Sequence, residues 1–120
     1  MQDFKPLQSL KKTEEFSRVY QEGKSFGSKL LVLIVLNSEK GRDAGRLGIS
    51  VSKKVGGSVE RHRLRRLIKE CFRLSKSEWA AADYVVVARR EAAGKSFEEI
   101  RECLLFLGRK AKVWEKGEKE

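Results

Sequence analysis

Residues 30–36 read LLVLIVL, seven apolar side chains without a break. The run is far short of the roughly 18 apolar residues that a membrane span needs. Its Val and Ile content favours a strand. A half-solvated strand would alternate with polar residues, and this one does not, so it is predicted to be buried on both faces or nearly so. Such a strand belongs inside a small central sheet with helices packed on it. A chain of 120 residues supports one domain, 1–120, around a modest core, with 1–8 and 113–120 as flexible ends. The opening residues, MQDFKPLQSLKK, lack the apolar centre of a signal peptide, so retention in the cytoplasm is expected.

The flanking pattern fills in an α+β order. Residues 10–22 carry Phe16, Val19 and Tyr20 on one helical face, with Gly23 as the stop. An extended piece, 24–27, leads to the apolar strand. The polar segment NSEKGRDAGR, 37–46, reads as a hairpin-like loop whose glycines allow a reversal. LGISVS, 47–52, alternates as a strand. Ser58 is placed to cap a helix running to about Leu74, with Leu64, Leu67, Ile68, Cys71 and Phe72 as its apolar stripe. A last strand, 84–88, follows. Ser96 and Glu99 form a capping box that opens a final helix, with Phe97, Ile100, Leu104 and Leu107 inward. The expected order is α-β-β-β-α-β-α, in a single domain.

Charge is distributed unevenly over that frame. Of a formal net charge of +10, the segment 53–76 supplies nine Lys or Arg against Glu60 and Glu70 alone. At about 100° per residue, His62, Arg65, Arg66, Lys69 and Arg73 lie opposite the apolar stripe, with Arg61 and Arg63 at its margins. Surface helices usually place Glu four residues from Lys or Arg. Positions 61, 65, 69 and 73 are all basic instead. Gly56 and Gly57 lie just before the helix, where backbone N–H groups favour anions, with Lys53 and Lys54 preceding them. The combination points to a polyanion partner, nucleic acid first, and to sulfate or phosphate as small-ion substitutes.

Chemistry by the chain itself is not indicated. Asp3, Asp43 and Asp83 stand in the N-terminal tail, in a loop and just before a strand, with no spacing for a shared metal. His62, the single histidine, lies within the basic run without an evident carboxylate partner, which favours contact to nucleic acid over general-base work. Cys71 and Cys103 lack CxxC spacing and read as reduced core thiols; no set of four N or S ligands for zinc can be assembled. The Gly-Gly turn lacks the G-K-[ST] ending of a P-loop. Phe16 and Tyr20, one turn apart, are ordinary core spacing, although exposed they would stack on single-stranded bases. Arg89 and Arg90 can extend a basic rim. Trp79 falls in a loop and Trp114 near the tail, and neither points to a function.

RLGISVSKKVGGSVERHRLRRLIKE, residues 46–70, closely resembles the bacterial ribonuclease P protein family: a strand ending in Ser-Lys-Lys, a glycine turn, and an Arg-Asn-Arg helix ending near Arg-Glu. LKKTEEFSRVYQEGKSF, 10–26, and DYVVVARR, 83–90, resemble the family's first helix with its following strand and its last strand. The resemblance implies a protein cofactor for a catalytic RNA. That RNA, with its bound magnesium ions, removes the 5′ leader of precursor tRNA. It implies that Lys53, Lys54, Arg61, His62, Arg63, Arg65, Arg66 and Lys69 face the catalytic RNA. Phe16, Tyr20, Arg89 and Arg90 would line or rim a cleft for the single-stranded leader. It also implies a left-handed βαβ crossover, against the usual right-handed rule. His62 stands where the family usually has Asn, and Ile34 where some members have an aromatic.

Rival readings are separable. A stand-alone structured-RNA-binding protein fits the charge and size. A helix-turn-helix DNA binder fits poorly, because strand LGISVS stands where the partner helix belongs. A protein-only nuclease lacks the acidic cluster.

Overall fold

The computed structural model describes residues 8–10, 13–37, 45–75, 79–80 and 82–111. In chain order the elements are β1 (Gln8–Ser9), α1 (Thr13–Glu22), β2 (Lys24–Gly27), β3 (Leu31–Asn37), β4 (Arg46–Ser50), α2 (Ser58–Leu74), β5 (Ala82–Ala88), a 3-10 turn (Arg90–Ala92) and α3 (Phe97–Lys110). The strands form one five-stranded sheet in the order β1-β4-β5-β3-β2. β3 runs antiparallel to β2 and β5, whereas β4 is parallel to β5 and β1. α2 is therefore the crossover of a parallel βαβ unit.

The apolar run is buried on both sides because strand side chains alternate between faces. Leu31, Leu33 and Val35 join Tyr84 and Val86 on one face, beneath Leu64, Ile68 and Phe72 of α2 and Ile100, Leu104 and Leu107 of α3. Ile34 and Val85 point the other way and pack with Val19 of α1 and with Leu10. Each fully buried Leu or Ile contributes about 1.5–3 kcal/mol relative to exposure. The larger face carries most of the stability, and the α1 face is only partly covered: Val32, Leu36 and Val87 stay half-buried there.

Several sequence expectations need correction. The first helix starts at Thr13, not residue 10, because the chain before it is extended along β4: β1 pairs Gln8 with Arg46, and the Leu10 N–H donates to the Leu47 carbonyl at 2.9 Å. The element order thus gains a strand ahead of α1. Segment 37–46 is not a hairpin, since β5 lies between β3 and β4; residues 38–44 lie outside the described residues. Gly57, in extended conformation, is the residue before α2, and no side chain caps that start. Ser58 is the first helical residue. Gly23 ends α1 through crowding: an added Cβ would lie 2.7 Å from the Val19 carbonyl oxygen and 2.8 Å from that of Val35.

Trp79 is core. It stacks on Phe72 at 4.4 Å between ring centroids and meets Tyr84 edge-on at 5.2 Å. Its Nε1 donates to Ser75 Oγ at 3.0 Å, and that hydroxyl donates to the Cys71 carbonyl, closing the end of α2. The Tyr84 hydroxyl donates to the Ala80 carbonyl. Asp83 lies inside β5 and is 2% exposed. The capping box of α3 forms as expected, with Ser96 Oγ accepting from the Glu99 N–H and Glu99 Oε1 from the Ser96 N–H. These bonds from Ser96 hold the Glu99 carboxyl below its ordinary pKa. Residues 1–7 and 112–120, with Asp3 and Trp114, and Asp43 in the 38–44 segment, lie outside the described residues.

Candidate nucleic-acid interface

The arc of α2 opposite its apolar stripe is solvent-facing. His62, Arg66 and Lys69 are exposed and Arg65 is half-buried. None of the four side chains has a hydrogen bond or ion pair among the described residues. Arg73, on the same arc, is paired with Glu70 and each shifts the other: the guanidinium holds the Glu70 carboxyl below its ordinary pKa. Arg61 turns back to the loop, where its Nε donates to the Gly56 carbonyl at 3.2 Å. Arg63 is engaged as well, with Glu60 and the Lys95 carbonyl. The eight residues expected to face RNA therefore divide into those already bonded and those left to solvent.

Ahead of α2, a tight turn holds Lys53 and Lys54 outward. The Val55 N–H donates to the Ser52 carbonyl at 3.1 Å and the Lys54 N–H to Ser52 Oγ at 3.3 Å. Both lysines are exposed, next to a helix start without a side-chain cap. Positive side chains beside the positive end of a helix favour an anion. Beyond it, Val59 is 83% exposed, an apolar step among cations. It borders a surface groove of about 490 Å³ with His62, Arg63, Arg66, Leu67 and Glu70.

The α1 face supplies the second surface. Phe16 is half-buried against Gly48, where an added Cβ would lie 2.6 Å from the ring. Tyr20 is 47% exposed. Ile34, where some family members have an aromatic, is buried beneath α1 with Val19 and Val85 and presents almost no surface. Arg89 and Arg90 are exposed just past β5. Arg89 leans over Gly27, whose Cβ position is 3.4 Å from its Nη2. Gly27 pairs with Val32, so this guanidinium stands at the α1-side face of the sheet.

Sequence reasoning treated the basic helix and the aromatic pair as separate surfaces, but the fold brings them together. Among the described residues, β1 pairs only with Arg46 and Leu47, at the start of β4. There a depression of about 230 Å³ opens, lined by Leu10, Phe16, Leu47, Gly48 and Ile49 and by His62, Arg65, Arg66 and Lys69. An apolar floor with a cationic wall suits a base together with its phosphates.

Arg46, absent from the sequence-predicted residues, anchors this region. Its Nε and Nη2 donate to the two carboxylate oxygens of Asp83 at 3.0 and 2.8 Å, and its Nη1 donates to Glu15 at 2.9 Å. The Asp83 hydrogen bond, foremost, raises the Arg46 pKa against the effect of burial. The tie joins β4, β5 and α1, directly beside Phe16. No sequence signal pairs residues 37 apart, though the basic residue opening RLGIS and the acid opening DYVVVA were both visible.

Burial pushes the Cys71 thiol up to about 12. Cys71 is buried, Cys103 is half-buried, and neither is in a disulfide. No group of three or more His, Cys, Asp or Glu is placed to hold a metal among the described residues. No described helix is long and apolar enough to cross a membrane.

An α+β domain with a cationic helix beside a half-covered sheet face defines a polyanion-binding protein. A family model described as Ribonuclease P matches residues 4–112. The ribonuclease P protein component of Lachnoclostridium phytofermentans is 47% identical over 107 residues, spanning 88% of this chain and 90% of that one. That of Clostridium acetobutylicum is 46% identical over 103 residues, 85% of this chain and 87% of that one. The solved structure of the Staphylococcus aureus RNase P protein matches with a TM-score of 0.82 and 38% identity, covering 88% of this chain and 96% of that one. This chain belongs to the ribonuclease P protein family.

Proposed function

We propose that this protein is the protein subunit of ribonuclease P, acting with a catalytic RNA in the endonucleolytic removal of the 5′ leader from precursor tRNA. The exposed arc of α2 and the Lys53–Lys54 turn dock on the RNA subunit, and the α1 face takes the single-stranded leader. Cleavage is the work of the RNA subunit with its magnesium ions. The protein contributes binding and alignment. The setting is cytoplasmic.

One observation supports this reading above the rest: Phe16, His62 and the cations Arg65, Arg66 and Lys69 line the same depression, in a chain that belongs to this family. A leader base stacked on the Phe16 side would lie next to the helix that grips the RNA subunit. A stand-alone structured-RNA-binding protein is not favoured, since the family relatives are ribonuclease P protein components.

A pair of substitutions tests the division of labour. Arg66→Ala is expected to weaken RNA docking for every substrate, because it removes an exposed cation. Phe16→Ala is expected to impair cleavage only of substrates whose leader is long enough to reach the α1 face. Equal losses with and without a leader for Phe16→Ala would reduce that ring to a core residue and overturn the leader assignment.

A further inference from the structure

Arg63, in the Arg-His-Arg segment, and Arg66, about one turn further on, belong to a helix read as RNA-facing, yet their surroundings differ. We propose that Arg63 is a positioning residue: with Glu60 it latches the first turns of α2 to the β5–α3 connection and so fixes the RNA-facing arc, without gripping phosphate itself. This rests on the docking reading of α2 given above.

The bonds close a ring between two segments distant in sequence. Glu60 Oε1 accepts from Arg63 Nε and Oε2 from Arg63 Nη2, both at 2.9 Å. The same Oε2 accepts from the Gly94 N–H at 2.8 Å, and Arg63 Nη2 also donates to the Lys95 carbonyl at 2.9 Å. The Nε–Nη2 edge of the guanidinium is thus consumed within the protein, the bidentate geometry in which arginine binds best. Nη1 makes no hydrogen bond among the described residues, and the side chain as a whole is 38% exposed. Arg66, three residues on, has no such engagement among the described residues.

The other half of the latch is shaped to receive it. Gly94 has φ of +78°, the one positive value among the described glycines, and this lets the connection turn its N–H toward α2. Glu60 is charge-assisted from two sides, and a helix whose start has no side-chain cap gains an external tie. Without the latch, the first turns of α2 lose their link to the β5–α3 connection, and His62 and Arg66 lose their fixed direction.

The test is the salt dependence of binding to bacterial ribonuclease P RNA, measured with the full-length chain alongside its thermal melting. Each phosphate contact removed lowers the slope of log affinity against log salt by roughly 0.7–0.9. Arg66→Ala is expected to lower the slope by one such increment. Arg63→Ala, Arg63→Lys and Glu60→Gln are expected to lower Tm and to weaken binding by similar factors at every salt concentration, with the wild-type slope retained. Arg63→Lys keeps the charge but not the fork, so rescue of Tm and affinity by lysine would overturn the latch. A slope reduced by Arg63→Ala as much as by Arg66→Ala would overturn it too. Wild-type slopes for Arg66→Ala and Arg63→Ala, without any loss of affinity, would remove the docking reading of α2 and the inference with it.

Discussion

Arg46→Met should be among the most costly substitutions outside the apolar core. The Asp83 side chain is 3% exposed and receives both arms of the Arg46 fork, while Arg46 itself is 21% exposed. At 2.8 Å the gross attraction is about 6 kcal/mol at an effective dielectric constant of about 20. Desolvation offsets several kcal/mol of it. Removing one partner of a buried pair typically costs about 3–5 kcal/mol. The residual solvent access of Arg46 brings the expectation to about 2–3 kcal/mol. Urea denaturation of Arg46→Met, Asp83→Asn and the double variant isolates the coupling. With a urea m-value of about 1–2 kcal/mol/M for a domain of this size, Arg46→Met should move the midpoint down by about 1–3 M. Because Nη1 of Arg46 also holds Glu15, next to Phe16, the same variant should lose leader-dependent cleavage before it loses RNA docking. A coupling below about 0.5 kcal/mol would show that the tie is a solvated surface pair, and would refute the anchoring of α1 through Arg46.

Other consequences can be checked in the same assays. Gly48→Ala should cost about 1–3 kcal/mol by overpacking, since its Cβ would fall 2.6 Å from the Phe16 ring; leader-dependent cleavage should fall, and an unchanged melting point would show that the ring moves freely. Hydrogen bonds from Arg63, and then the Gly94 N–H, lower the Glu60 pKa from 4.5 to about 2. A depressed carboxylate stabilises the fold fully above its unfolded pKa and loses that effect as pH falls, so Tm should decline between about pH 4.5 and 2, and less steeply in Glu60→Gln. Parallel declines in the two proteins would refute it. Sulfate or phosphate at millimolar levels should raise Tm against chloride of matched ionic strength, since a tenfold excess over Kd adds about 1.4 kcal/mol of stability. An unchanged midpoint would mean that the basic face holds no anion preferentially.

What the sequence disclosed follows from the range of each physical signal. The run LLVLIVL, the stripe Leu64–Ile68–Phe72 and the Ser96–Glu99 box are local patterns, and each matches an element of the structure. The two-residue β1 has no period to detect, so the apolar Leu10 matches the pattern of the helix that follows it. A polar loop with glycines signals a reversal but does not name the neighbouring strand, which is how β5 came between β3 and β4. Trp79 gives no periodic cue, and only the fold stacks it on Phe72. For the interface, helical geometry separated His62, Arg65, Arg66 and Lys69 correctly from the apolar stripe. It could not reveal that Arg63 is bonded across to residues 94–95, or that Phe16 shares a depression with α2. Those are contacts between distant segments, set by tertiary structure alone.

The central claim is that this protein assists a catalytic RNA. Its most direct test is cleavage of a precursor tRNA by bacterial ribonuclease P RNA at low magnesium, with and without the protein, and with the protein alone as control. The account predicts strong stimulation of the RNA by a protein that is inert by itself. Tight RNA binding without stimulation, or magnesium-dependent cleavage by the protein alone, would contradict it.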